Sequence, residues 1–258
     1  MMNSPNRPIR EFTDSQQLVR IWDRENIVSL MNRRAFYSAN DLRDQELREL
    51  WVSRPENAAA ASYGSTWGYY TGMDAIREFY VESHARHLRA QLDAIRAVDT
   101  SVADIPENLG MGTMHFAPMT TPLIEISGDG MTAKGMWYSI GQRTGIEPDG
   151  QPKAWWIALR IGADFIKENG AWKLWHLVEI PDVVNEDGTD YKRIPYQYAP
   201  GGHPLEKEFG APTISMLTHD ERFNWWDNYP PEPMPYDSFS DAISYGPEGH
   251  PDYKEETK

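Results

Sequence analysis

The chain has no cysteine. Disulfides, thiolate nucleophiles and thiolate-bound metal or iron–sulfur centres are therefore excluded, and a reducing compartment suits it, so a cytoplasmic address is expected. Positive charge is scarce: 25 Lys and Arg stand against 39 Asp and Glu, a formal charge of −14. So acidic a chain is repelled by nucleic acid and by anionic lipid, and neither is expected as a partner. Long apolar runs are missing too. Nothing approaches the roughly 20 apolar residues of a membrane span, and Met1–Arg10 carries no apolar run of signal-peptide length. No Gly-x-Gly-x-x-Gly, Walker loop or Gly-x-Ser-x-Gly occurs, so nucleotide-binding and serine-hydrolase chemistry lack support.

What is present is a chain of 258 residues, 40% hydrophobic and 12% aromatic, with ten Trp and thirteen Tyr. That composition builds a core and rules out wholesale disorder. Helical spacing runs through Ser15–Ala39, with Thr13 or Asp14 as N-cap, and again through Asp41–Trp51. Arg54-Pro55-Glu56-Asn57 reads as a break, Ala58–Tyr63 as a weak strand and Gly64–Gly72 as a loop rich in glycine and aromatics. Met73–Val98 returns to helical spacing. Strand patterns follow at Met111–Ala117, Leu123–Ser127, Thr132–Thr144, Lys153–Lys167 and Ala171–Val183, joined by Gly128-Asp129-Gly130, Pro148-Asp149-Gly150 and Glu168-Asn169-Gly170. Hairpins of this length make a bent antiparallel sheet that amphipathic helices must cover, an α+β fold.

From Val184 onward the pattern changes. Residues 184–258 hold ten of the 19 prolines, with fifteen acidic residues against six basic ones, a net of −9 out of −14. They also hold twelve aromatics, Trp225 and Trp226 among them, too many for a solvated tail. The expected division is a folded domain at 1–183 and, at 184–258, an irregular arm packed on its own domain or on a neighbouring subunit.

The order helix, helix, strand, helix, bent sheet resembles the SnoaL-like branch of the nuclear transport factor 2-like superfamily. The stretches Arg34-Ala35-Phe36-Tyr37 with Asp41, Gly72–Tyr80, Ile124–Ala133, and Asp164-Phe165 with Asn169-Gly170-Ala171-Trp172-Lys173-Leu174 look like that family's signature. The resemblance spans roughly residues 18–182. It implies an NTF2-like cone: a strongly bent antiparallel sheet, covered by three N-terminal helices, that encloses a pocket. Family enzymes include dehydratases, ketosteroid-type isomerases, polyketide cyclases and γ-formaldehyde lyases of lignin-dimer breakdown, mostly without a cofactor; other members only bind ligands or scaffold partners.

His115 falls where the family's dehydratases place a pocket histidine, a residue whose near-neutral pKa suits a general base. Its alternative is a satisfied core histidine. Tyr37 and Asp41, four residues apart, fall near a Tyr and an Asp that polarise a carbonyl or take a proton in related enzymes. Asp41 fits an N-cap of the second helix slightly better than a catalytic role. Alternation puts Trp137 and Ser139 on one sheet face and Tyr138 on the other, and sets Trp156, Arg160 and Asp164 against Trp155, Ile157, Leu159 and Phe165. A face with Trp156, Arg160 and His176 suits a phenolic or carboxylate-bearing arene. Phe36, Trp67, Met119, Trp137 and Tyr138 complete the expected substrate contacts, with Arg160 joining His115, Tyr37 and Asp41 in the chemistry. His84 and His87 lie i, i+3, but Arg86 and Arg89 interleave them and no third ligand falls at a diagnostic spacing, so a solvated basic face is expected and no metal. The expected activity is that of a cofactor-independent lyase on a bulky lignin-type aromatic, losing formaldehyde or water. Steroid or polyketide dehydration or isomerisation, and non-catalytic ligand binding or scaffolding, are the alternatives. Expected partners are a small aromatic substrate and further copies of the chain, as a dimer or trimer.

Overall fold

Thr13 opens the first helix with a capping box: its hydroxyl accepts the Gln16 amide proton at 3.3 Å, and the Gln16 side chain accepts from the Thr13 amide at 3.0 Å. This and all that follows refer to a computed structural model, which describes residues 12–186, 197–198, 202, 204–216, 218–219, 229–251 and 253. Trp225 and Trp226 lie outside the described residues. Helix α1 (Asp14–Ala39) turns Ile27, Leu30, Met31, Arg34 and Tyr37 inward at helical spacing and leaves Leu18, Ile21, Trp22 and Phe36 exposed. It ends in a Schellman motif. Leu42 N–H donates to the Tyr37 carbonyl at 2.9 Å and Asp41 N–H to that of Ser38 at 3.3 Å, with Asp41 left-handed at φ 56°. Asp41 therefore closes α1. Leu42 is the N-cap of α2 (Arg43–Leu50), which has no side-chain cap, so the N-cap alternative for Asp41 is corrected.

Pro55, expected to break the chain, instead starts α3 (Pro55–Ala60), where a missing N–H costs nothing. The glycine-aromatic stretch, expected as a loop, is a hairpin of β1 (Ser62–Ser65) and β2 (Gly68–Thr71). Helix α4 (Met73–Arg77) passes through one π-helical turn at Glu78–Ser83 into α5 (His84–Val98). The long strands come next: β3 (Met114–Phe116), β4 (Thr120–Ile126), β5 (Thr132–Ile146), β6 (Pro152–Glu168) and β7 (Ala171–Glu186). Asn169 and Gly170, at φ 52° and 80°, supply the two left-handed positions that the β6–β7 turn requires.

Beyond β7 the described arm contains β8 (Gln197–Tyr198), α6 (Pro204–Phe209), β9 (Ile214–Ser215) and β10 (Thr218–His219), with β8 paired to β10. The main sheet runs β3-β5-β6-β7-β1-β2-β9, with β4 also on β5. One pair departs from the expected antiparallel pattern: β1 lies parallel to β7, so the sheet is mixed. Register shifts in the β4–β5 and β6–β7 ladders bend it. Among the described residues no helix is long and apolar enough to cross a membrane.

The inner face of the sheet presents Ala133, Trp137, Ile161, Ala163, Phe165, Leu174 and Leu177 to the helices, forming one core. On the outer face Tyr69 and Val178 pack against Met216 and Tyr245 of the arm, forming a second. Gly162 lets the arm approach, since a Cβ there would lie 2.8 Å from Cβ of Pro230. Between sheet and arm sits Asp164, fully buried. It accepts from Lys134 Nζ at 2.6 Å, Ser244 Oγ at 2.9 Å and the Tyr245 amide at 2.7 Å, and meets His176 Nδ1 at 2.9 Å. Lys134 also stands 3.6 Å above the Tyr245 ring. Burial alone would raise the Asp164 pKa, but the Lys134 charge and the bonds it receives outweigh that and hold it at about 2.

Removing that carboxylate strands Lys134 and the Tyr245 amide in the interior. Asp164→Ala is expected to lower unfolding free energy by about 3–5 kcal/mol in urea titrations; an unchanged midpoint would show that the cluster does not hold the arm. Because the folded carboxyl titrates below the unfolded one, its contribution is complete above about pH 4 and fades as pH falls toward about 2.

Candidate active site

Between the inner sheet face and the helices lies a cavity of about 600 Å³. Tyr63, Trp67, Phe79, Tyr80 and Phe209 give it aromatic walls, with Ile157 and Leu159 of β6 behind them. Phe79 organises the rings: it stacks on Tyr70 at 4.1 Å and meets Tyr63 at 5.1 Å and Phe209 of α6 at 6.0 Å. Eight charged or imidazole side chains break this lining: Arg34, Asp41, Arg43, His84, His87, His115, Arg143 and Glu179.

The α1 Schellman turn aims Asp41 at the start of α5, where its Oδ1 meets His84 Nε2 at 2.6 Å and Arg43 Nε at 3.4 Å. Burial raises the Asp41 pKa, but the His84 bond and the charge of Arg43 overcome it and hold the carboxyl below its usual range. For His84 burial is the largest influence and lowers its pKa, with the Asp41 bond opposing it. A carboxylate thus fixes the orientation of a largely uncharged imidazole, whose Nδ1 has no partner among the described residues. His87 lines the same cavity, its Nε2 against the Gln91 amide and its ring 5.5 Å from Phe209. The expected solvated basic face is corrected for these two histidines. The helical period turns His84, His87 and Leu88 toward the cavity, while the paired Arg86 and Arg89 stay outside.

His115 comes from the short edge strand β3, opposite Arg143 of β5. Gly141 makes this pairing possible, because a Cβ there would fall 1.7 Å from the Phe116 carbonyl oxygen. Ser38 Oγ holds Nδ1 at 3.0 Å, and Nε2 has no partner among the described residues. Burial brings the His115 pKa down to about 4. Glu179 opposes this, while Arg43, Arg34 and Arg143 reinforce it. At neutral pH the ring is uncharged.

Below lies a buried ion network. Arg34, 3% exposed, sets Nε 3.3 Å from Glu46 of α2, an ion pair without a hydrogen bond, and Nη2 2.9 Å from Glu179 of β7. Tyr80 donates to Glu46 at 2.8 Å and Tyr63 to Glu179 at 2.5 Å. Burial drives the Glu46 pKa up. In Glu179 burial is outweighed by Arg34 and Tyr63, which keep it ionised.

Of the residues singled out from sequence, His115, Asp41 and Trp67 border this cavity. Tyr37 does not: its hydroxyl donates to Glu49 at 2.5 Å, and with Phe36 it borders a separate groove on α1. Trp137 lies in the inner core, with Met119 packed at its edge. The face carrying Tyr138, Trp156, Arg160 and His176 is the outer one, because Trp137, Ile161 and Phe165 fill the inner parity. There Arg160 pairs with Asp182 at 2.9 Å, and His176 is sealed under Ser244. Sequence reasoning sets His84 on a solvated face and does not single out Arg34, Glu46, Glu179 or Tyr63 as site residues. Arg34 does fall four residues after Leu30 on the buried stripe, and Glu179 two after Leu177 on β7. A charge at an apolar position of a periodic pattern is the signal that finds both. Among the described residues no group of three or more His, Asp and Glu is placed to hold a metal ion. The arrangement is suited to moving protons: two uncharged imidazoles, one oriented by a carboxylate, in an apolar enclosure.

Similar solved structures include an NTF2-like protein with a cystatin-like fold from Novosphingobium aromaticivorans, at 15% identity over 70% of this chain and 94% of that one, TM-score 0.40. A hexachlorocyclohexane dehydrochlorinase from Novosphingobium barchaimii matches at 13% identity over 69% and 99%, TM-score 0.44. A putative scytalone dehydratase from Novosphingobium aromaticivorans matches at 12% over 70% and 94%, TM-score 0.44. No curated protein matches the chain. The SnoaL-like domain pattern matches residues 19–178, α1 through most of β7 and more than half of the chain. By that match the chain belongs to the SnoaL-like domain family.

Proposed function

We propose that the chain is a cofactor-independent lyase that takes a proton from a bulky, two-ring aromatic substrate and expels a small group, formaldehyde or water. The observation that carries this reading is the Asp41–His84 pair at 2.6 Å on the same aromatic-walled cavity as His115. His84 is the proton acceptor. Asp41 fixes its ring and stabilises the imidazolium that forms, so the carboxylate is an orienting group and the imidazole the base. His115, uncharged at neutral pH, holds the leaving oxygen. The volume of about 600 Å³ and the ring-lined walls suit a diaryl-propane skeleton.

For a 1,2-diarylpropane-1,3-diol the bookkeeping is closed. His84 takes the terminal hydroxyl proton, and the bond between that carbinol carbon and its neighbour breaks, releasing formaldehyde. The electron pair so freed forms the C=C bond of a stilbene. The benzylic hydroxyl departs against His115 and takes a proton back from His84 as water. Simple dehydration follows the same order, with a C–H proton in place of the O–H proton.

Turnover of diaryl-propanediol, steroid and polyketide probes, followed by mass spectrometry without added cofactor, tests the proposal. Stilbene and formaldehyde in equal amounts are expected from the diol. His84→Ala and His115→Ala are each expected to lower kcat/KM by about 10²-fold or more. No turnover of any probe would leave a ligand-binding protein and overturn the lyase reading. A second prediction needs no substrate. Because the folded His115 resists protonation until about pH 4, stability falls as pH drops from about 6.5 to about 4, where only the unfolded ring takes a proton. His115→Gln is expected to flatten that part of the stability curve; an unaltered slope would place the His115 pKa near its ordinary value.

A further inference from the structure

The inner end of the cavity carries a hydrogen-bond donor and an acceptor that the acid–base chemistry leaves unused. The guanidinium of Arg34 stands with Nε 3.3 Å from Glu46, a charge contact, and pairs Nη2 with Glu179; its Nη1 has no partner among the described residues, though the side chain is 4% exposed and borders the cavity. The Glu179 carboxylate, 16% exposed, also borders it, and each of its oxygens carries one inward bond, from Arg34 and from Tyr63. A carboxylate oxygen accepts two, so each retains a free lone-pair direction. Both groups are fixed from behind, on α1 and β7, and neither must reorganise to meet a ligand.

We propose that Arg34 and Glu179 form a subsite for one neutral hydroxyl of the ligand, a phenol or an alcohol, with Arg34 Nη1–H donating to the ligand oxygen and Glu179 accepting the ligand O–H. The geometry discriminates. An ether can accept from Arg34 but offers Glu179 no proton, so it leaves a desolvated carboxylate unsatisfied. A carboxylate ligand sets a second anion against Glu179, with Glu46 behind it, in a site of low polarity. The inference rests on reading this cavity as the ligand site, but its test requires no turnover.

Binding of 4-phenylphenol, 4-methoxybiphenyl and biphenyl-4-carboxylate to the full-length protein, measured by titration calorimetry, separates the cases. The wild type is expected to bind the phenol about tenfold or more tightly than either analogue. Glu179→Gln, with its circular dichroism unchanged, is expected to bring phenol and ether within about threefold of each other. Arg34→Lys keeps the charge but removes the fork, and is expected to weaken the phenol about tenfold; it also serves as the test should Glu179→Gln fail to fold. Equal or tighter binding of ether or carboxylate by the wild type would overturn the subsite, as would a phenol preference untouched by these variants. Binding of none of the three would overturn both the subsite and the cavity's role as an arene site. Phenol-selective binding without turnover of any substrate would leave the subsite standing and remove the lyase reading alone.

Discussion

Arg34 ties three elements together: from α1 it reaches Glu46 on α2 and Glu179 on β7, and the other oxygens of those carboxylates are taken by Tyr80 and Tyr63. A guanidinium so deep in an apolar interior persists only because its charge is matched, and losing either carboxylate would strand it at a cost of about 3–5 kcal/mol. A well-packed apolar set in the same volume would be as stable or more so. Stability alone therefore does not account for the network. What distinguishes it from apolar packing is that its charged members Arg34 and Glu179, with Tyr63 and Tyr80, border the cavity, where they fix charge and hydrogen-bonding direction that leucines could not supply. The helical cover and the sheet are registered against one another at the point where the ligand-sized space begins.

The sheet keeps two kinds of chemistry apart by alternation. Along β5 and β6, Ala133, Trp137, Ile157, Leu159, Ile161, Ala163 and Phe165 face the helices and the cavity, while Lys134, Gly162 and Asp164 face the arm. The outer cluster of Asp164, Lys134, His176 and Ser244 superficially carries the elements of a nucleophilic triad. Its contacts argue otherwise. Ser244 Oγ and His176 Nδ1 both converge on Asp164 Oδ2, His176 Nε2 is taken up at 3.1 Å from the Ala60 carbonyl oxygen, and no member is open to a ligand-sized space. Asp164 Oδ2 takes the Ser244 hydroxyl and the Tyr245 amide of the returning arm, so the cluster is an anchor. The inner groups differ in that Nδ1 of His84, Nε2 of His115 and Nη1 of Arg34 remain unpartnered among the described residues.

The elements that follow from strong local rules were legible in the sequence. The long hairpins announced themselves through Asp-Gly and Asn-Gly turns, and α1 through its period. The β1–β2 hairpin did not, because four-residue strands made of Gly, Ser, Thr and Tyr carry too little alternation to stand out from a loop; they are held by pairing with β7 and β9. Pro55 was read as a stop although its fixed φ suits a first helical position equally well. At the site, His115 and Asp41 follow from the resemblance and Trp67 from the expected aromatic contacts. His84 was hidden by its arginine neighbours in sequence, which the helix turns to the opposite side. Which sheet face is concave depends on bulges and on the β7–β1 parallel pairing, and neither leaves a trace in hydrophobic spacing.

The family pattern ends at residue 178, but the cavity does not. Glu179, Pro181 and Val184 at the end of β7, and Leu205 and Phe209 of α6, all border it. The matched part of the chain thus supplies the cone, the dyad and His115, while the residues beyond it supply one of the two carboxylates paired with Arg34 and the ring against Phe79 and His87. Proteins of one fold diverge in what they act on through side chains placed on a common scaffold. Here the side chains beyond the family match belong to the acidic, proline-rich arm and the strand leading into it, a segment that composition alone would mark as peripheral. Among the described residues, Glu232, Asp237, Asp241 and Glu248 of the arm are exposed, and what the arm's short helix contributes to the cavity is apolar: Leu205 and Phe209. That is why net charge says so little about the ligand, and why the aromatic surplus and one anchored carboxylate say more.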